Sequence, residues 1–283
     1  MSDGGLTMLP TKPQTRETLA IDPLSARVLL AGMPKVGKST LLSQWAPQTT
    51  LIIDTHRGTT LLDGEHYVQH VRNWQEFEET VDLIAGGRHQ FKTVGIDLID
   101  DIYKMADLVA AQKSGQVAAG LIEYGKGTAE AEGLFRRAVS KLFTSPYGIW
   151  FLSHTDQETV KRKGRPEQTR YVPRLDKKVR TYVEGACQFI FLAENLNDRR
   201  QLRTRASAEF GAGSRVPLPS PMPLDARILY AAMRDGLRPA TSATVAPDEV
   251  APDEDPTAQP NPGVEGEAGP LSDEELAAQE KLV

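Results

Sequence analysis

Eight consecutive residues, Gly32-Met-Pro-Lys-Val-Gly-Lys-Ser39, dictate much of how the chain around them must fold. They satisfy G-x-x-x-x-G-K-[ST] at every fixed position. The apolar run Arg27-Val-Leu-Leu-Ala31 precedes them, and the pattern predicts a helix from Lys38 to about Ala46. Glycine lets the backbone curl until successive N–H groups point inward. The helix start adds the positive end of its dipole, and together they hold phosphate oxygens. In such a loop Lys38 reaches the β- and γ-phosphates, Ser39 ligates Mg²⁺ and Thr40 supplies the next hydroxyl. Met33, Pro34, Lys35 and Val36 complete the cradle between Gly32 and Gly37. The implied cofactors are ATP and Mg²⁺.

The central chain alternates strand and helix patterns. Thr50–Asp54, Tyr67–Val71, Thr93–Asp97, Gly148–Ser153 and Cys187–Ala193 read as strands, and Gln201–Ala206 as a pairing segment near the end. Trp74–Ala85 places Trp74, Phe77, Val81 and Ile84 on one stripe of a helix. Leu98–Lys113 and Ala129–Phe143 are further expected helices. Strands separated by helices predict a mainly parallel sheet covered on both faces. Trp45, Trp74 and Trp150 sit in apolar stripes and belong to the core.

A phosphate loop is completed by a carboxylate at a strand end that acts on Mg²⁺ through water. Asp97, closing Thr93-Val-Gly-Ile-Asp97, is the candidate, with Asp100 and Asp101 one turn further on. Asp97 also suits the cap of the following helix, and the two duties are compatible.

Composition narrows the class. No apolar run approaches the roughly 20 residues of a membrane span, and the first residues lack the apolar stretch of a secretory signal. The single cysteine, Cys187, excludes an internal disulfide framework and reads as a buried structural thiol, so a reducing, cytoplasmic setting is expected. His66, His70 and His89 lack a metal-ligand pattern. The net charge of −5 hides an asymmetry: residues 239–283 carry 11 acids and one base, while residues 1–238 carry 32 bases and 27 acids. That tail has seven prolines and no aromatic residue, so it cannot bury enough surface to offset its ordering entropy. Its final turns, from Leu271, have the pattern of a short capped helix.

Taken together, Gly32–Thr40, Ile52-Ile-Asp-Thr-His-Arg-Gly58, Val94–Asp97, Tyr124–Gly127 and Trp150-Phe-Leu-Ser-His154 resemble the RecA-like ATPases. The resemblance is closer to a group of short bacteriophage AAA-type nucleotide-binding proteins, some of them ATP-dependent single-strand-annealing proteins. It covers about residues 27–195. It implies a RecA-like P-loop NTPase fold and sites completed between subunits of a ring or filament. In RecA-like enzymes a glutamate in an I-D-x-E pattern orients the attacking water, but this chain has His56 there. A neutral imidazole can accept that proton, because its ordinary pKa lies near 6.5. Slow hydrolysis, another acid such as Asp54, or a loop His56 without chemistry remain open. His154, with Ser153, matches a position near the γ-phosphate that reports nucleotide state to a DNA-contacting loop. Lys126 faces phosphate or a neighbouring subunit, or belongs to a plain turn.

A basic segment follows His154. Lys161, Arg162, Lys163, Arg165, Arg170 and Arg174 surround Tyr171, and Lys177, Lys178 and Arg180 extend the run. Cations that neutralise phosphates beside an aromatic face suit single-stranded nucleic acid. A solvated charged hairpin is the bland alternative. Arg199, Arg200, Arg203 and Arg205 form a second cluster, suited to DNA or to a neighbouring subunit's nucleotide.

The expected organisation is a flexible arm over 1–24, a RecA-like ATPase domain over 25–237, and a disordered acidic tail over 238–283. The expected activity is Mg²⁺-dependent ATP hydrolysis. Expected partners are single-stranded DNA, further copies of the chain, and a recombination or replication protein met by the tail. An assembly factor acting on protein and a nucleotide-gated switch are the alternatives.

Overall fold

The apolar runs pair in parallel to build a central sheet. The computed structural model describes residues 22–122, 125–160 and 167–237; the expected acidic tail, Tyr124 and all but the last residues of the N-terminal arm lie outside them. The strands are β1 (Arg27–Gly32), β2 (Thr50–Asp54), β3 (Tyr67–His70), β4 (Thr93–Asp97), β5 (Gly148–Ser153), β6 (Thr155–Val160), β7 (Gln168–Pro173), β8 (Phe189–Leu196), β9 (Arg199–Arg203), β10 (Gly213–Ser214) and β11 (Met222–Pro223). The helices are α1 (Lys38–Gln44), α2 (Trp74–Ala85), α3 (Ile99–Lys113), α4 (Lys126–Thr144), α5 (Lys177–Ala186) and α6 (Ala226–Leu237).

Strand order in the main sheet is β11-β9-β8-β1-β5-β4-β2-β3, with β10 beside β8. The six strands from β8 to β3 are mutually parallel, and β9 returns antiparallel to β8. One strand, β5, separates the phosphate-loop strand β1 from the Asp97 strand β4. A separate hairpin, β6-β7, springs from the end of β5.

Side-chain alternation explains the two covered faces. Leu29 of β1 and Ile149 and Phe151 of β5 meet α2, α3, α4 and α5 through Phe77, Val81, Ile102, Phe135, Val139 and Val183. Val28 and Leu30 of β1, with Trp150 and Leu152 of β5, meet α1 and α6 through Leu41, Leu42, Leu229 and Met233. Each such fully buried side chain contributes about 1.5–3 kcal/mol relative to exposure. Trp45 stacks against Trp150 at 4.7 Å between ring centres. This is the mainly parallel sheet with helices on both faces that the pattern predicts.

Several boundaries differ from expectation. Helix α4 begins at Lys126 rather than Ala129, with Gly125 preceding it in the left-handed region. Cys187 ends α5 instead of opening a strand, and β8 runs to Leu196. The pairing segment is Arg199–Arg203. Leu98, not Asp97, occupies the cap position of α3, and no side chain caps that helix. At the other end Asp22 accepts a hydrogen bond from Leu24 N, and the Leu24 carbonyl accepts one from Thr93 Oγ1. Among the described residues no helix is long and apolar enough to cross a membrane.

Candidate nucleotide site

Register alone gathers the sequence motifs at one edge. Asp54 pairs with Asp97, Asp97 with Leu152, Ala31 with Ser153, and Gly32 with Ala193. The carboxyl ends of parallel strands therefore present Asp54, Asp97, His154 and the phosphate loop side by side, the usual place for a ligand in such a sheet. A cleft of about 490 Å³ opens there. Lys38, Ser39, Thr40, Asp97, His56 and His154 all line it, with Pro34, Lys35, Gly37 and Arg200.

The loop geometry follows from its residues. Gly37 takes φ +110°, a conformation that side-chain-bearing residues rarely adopt, and its carbonyl accepts the Leu41 N–H at 2.9 Å to start α1. On β4, Gly95 leaves room for Leu42: a Cβ there would lie 2.3 Å from a Leu42 methyl. That missing side chain seats the loop helix directly on the sheet. Lys38 folds back, its Nζ donating to the carbonyls of Gly32 at 2.8 Å and Met33 at 3.0 Å. Burial lowers its pKa to about 8, against the attraction of Asp97 and Asp100.

Asp97 is buried, and burial holds its pKa above the usual carboxylate range, opposed chiefly by a hydrogen bond from the Ser39 hydroxyl. The peptide bond after it, Asp97–Leu98, is cis. A hydroxyl beside a carboxylate is a hard-oxygen pair of the kind Mg²⁺ uses while keeping water ligands. Among the described residues no group of three or more His, Cys, Asp or Glu side chains forms a metal cage, so further ligands to Mg²⁺ would come from water and nucleotide.

Asp54 is committed elsewhere. Its Oδ1 accepts the His56 N–H at 2.8 Å, and its Oδ2 accepts from Thr59 N and Thr59 Oγ1. Burial raises its pKa, but these hydrogen bonds outweigh it and the net shift is downward. Asp54 thus organises the 55–59 turn. The exposed His56 ring sits with Nε2 2.9 Å from Asp101 Oδ2.

His154 Nδ1 lies 3.3 Å from Asp100 Oδ2, which also accepts the His154 N–H at 3.4 Å. The pair is not ionic in the ordinary sense. Burial pushes Asp100 up to about 6, while burial and the nearby Lys38 and Arg174 cations push His154 down to about 4. At neutral pH a carboxylate faces a neutral imidazole.

The basic segment has more structure than a loop. Lys161, Arg162, Lys163 and Arg165 lie outside the described residues, but the flanks form the β6-β7 hairpin. Its base is tied to β5, since Arg174 N donates to the His154 carbonyl at 2.8 Å and to Ser153 Oγ at 3.2 Å. Arg174 pairs with Asp156 at 2.8 Å and Arg180 with Glu158 at 2.9 Å. Arg170 turns toward Gly211. Tyr171 lines a second cavity of about 430 Å³, shared with Met33–Val36 of the phosphate loop. Thr155 at the hairpin base reaches Met33 Sδ at 3.4 Å.

Sequence reasoning passed over Gly95 and the pairing of Asp100 with His154. The glycine in Val94-Gly-Ile-Asp97 interrupts an apolar strand, and that interruption was the available signal.

A family model described as AAA domain matches residues 24–216. No curated protein matches the chain. The flagellar accessory protein FlaH from Methanocaldococcus jannaschii, known from a crystal structure, is similar at 10% identity, covering 67% of this chain and 80% of that one with a TM-score of 0.34. The family match spans the phosphate loop, the Asp97 strand and the His154 strand that the sheet assembles. This chain belongs to the AAA domain family, and its domain is a P-loop NTPase of RecA-like fold.

Proposed function

We propose that the protein is a Mg²⁺-dependent ATPase of phage type that binds single-stranded DNA and supports strand annealing or homologous recombination. The observation that carries this reading is the root of the β6-β7 hairpin. It starts one residue after β5, is tied to Ser153 and His154 by Arg174, and touches the phosphate loop through Thr155 and Met33. A hairpin so attached can respond to what occupies the cleft, and the bases between its strands suit a phosphate backbone.

In this reading Lys38 leaves the Gly32 and Met33 carbonyls for phosphate oxygens. Ser39 and, through water, Asp97 hold Mg²⁺, which neutralises phosphate charge when bound. His56 accepts the proton of the attacking water; the tautomer donating from Nε2 to Asp101 leaves Nδ1 as acceptor. Because His56 replaces a glutamate, hydrolysis is slow. Ser153 and His154 pass the nucleotide state to the hairpin. The working form is a homo-oligomer, ring or filament, and the acidic tail meets a recombination or replication partner.

A second reading rests on the Arg174–Asp156 and Arg180–Glu158 pairs, which neutralise part of the hairpin's charge. It makes the domain a nucleotide-gated switch or assembly factor acting on protein. ATP hydrolysis measured with and without single-stranded DNA, at low and moderate salt, separates the two. Lys38→Ala is the blank. Stimulation by DNA that fades with salt is expected. Turnover indifferent to DNA sinks the DNA reading and leaves the protein-directed one.

A further inference from the structure

Four arginines cluster on and after the β8-β9 hairpin, but one of them stands apart. The turn residues Asn197 and Asp198 both take positive φ, 52° and 59°, so the hairpin is tight and its register defined. Period-two alternation then sorts the side chains. Gln201 and Arg203 bind Glu194 at 2.6 and 2.7 Å. Arg200 and Leu202 take the opposite face, where Leu202 packs with Leu41 and Leu42 of α1. That is the face on which the phosphate-loop helix stands.

Arg200 accordingly lies against the loop. Its Nη1 is 3.5 Å, and its Cδ 3.7 Å, from where a Cβ on Gly37 would stand. Its carbonyl accepts the Leu224 N–H at 3.2 Å, and Leu224 flanks Gly37 from the same side. Arg200 lines both the nucleotide cleft and the adjoining 430 Å³ cavity. Among the described residues no carboxylate pairs with it.

From this placement we infer that Arg200 binds the phosphates of its own subunit's nucleotide, beside Gly37 of the loop. The inference rests on the nucleotide-binding reading of the cleft. A guanidinium presents a planar fork of donors suited to two phosphate oxygens at once, and an unpaired one beside loop amides has no competing anion to leave. Arg200 lies over Gly37 of its own loop, within reach of its own subunit's cleft. Arg203, held by Glu194, has no such freedom.

Calorimetric titration of the full-length chain with ATP, ADP and inorganic pyrophosphate tests this, with Arg200→Ala, Arg200→Lys and Arg203→Ala compared to wild type. Arg200→Ala should weaken all three by roughly ten- to a hundredfold, the size of one charged hydrogen-bonding group. Arg200→Lys should recover part of that loss, and Arg203→Ala should bind as wild type. Near-wild-type ATP affinity in Arg200→Ala overturns the inference. So does weakened ADP binding with unchanged pyrophosphate binding, which assigns Arg200 to the base. Hydrolysis abolished at unchanged affinity, then restored by mixing with Lys38→Ala subunits, also overturns it and moves Arg200 to a neighbour's site. A wild-type chain that binds none of the three probes is a separate result, because it removes the nucleotide reading itself.

Discussion

The Asp100–His154 pair shows how a shared environment divides protons between two groups. Asp100, at about 6, keeps a proton when folded that it has lost when unfolded between its ordinary 3.8 and pH 6. Its contribution therefore falls as pH rises through that window. His154, at about 4, lacks a proton when folded that it carries when unfolded up to 6.5, so its contribution rises with pH. Over roughly pH 4–6 the two slopes oppose each other and the wild type hides both. Asp100→Asn should expose the histidine slope, with stability rising from pH 4.5 to 7 more than in wild type. His154→Gln should expose the opposite slope. Each change is on the order of 2 kcal/mol. Urea midpoints at several pH values check this, and variant profiles parallel to wild type would refute the assignment. Lys38 and Asp97 were legible in the sequence because each sits at a strand or helix end with a local pattern, and His154 only through the family resemblance. The partner of His154 was not, since Asp100 is 54 positions away and meets it only through the β4–β5 register.

Among the elements, those that bury a regular stripe were readable. Helix α2 and strands β2, β4 and β5 fall where apolar periodicity put them. A charged hairpin is one of the two readings the basic segment allows, but the bounds of β6 and β7 are not legible because Thr155–Val160 is nearly all polar and forms a two-stranded layer apart from the main sheet. Helix α5 escaped because its buried pair, Val179 and Val183, is hidden among Lys177, Lys178 and Arg180. The seating of α1 gives a prediction at this scale. Gly95→Val would drive a branched side chain into Leu42, whose methyl lies 2.3 Å from the site of the new Cβ. A cost of about 1–3 kcal/mol is expected from such overpacking, with weaker ATP binding because α1 carries Lys38 and Ser39. Urea unfolding together with ATP titration measures both. Unchanged values would mean that α1 does not depend on this packing.

For the whole molecule, charge distribution is the lever. Residues 239–283 carry a net −10 against +5 for the rest, and an acidic segment competes with DNA for a basic surface. Deleting 239–283 should tighten single-stranded DNA binding at low salt, with the gain shrinking as salt rises. If the same deletion abolished binding to a protein partner, the tail would instead be a docking segment, and no change in either would leave it a solubility extension. The division of information in this protein follows the range of the forces involved. Strand-loop-helix around Gly32–Ser39, the apolar stripes and the acidic excess are set by short-range backbone preference and composition, so the amino-acid order is enough to read them. Which strands become neighbours depends on burying both faces of one sheet at once. That collective choice inserted β5 between β1 and β4, brought His154 beside Lys38 and Asp97, and laid Arg200 over Gly37.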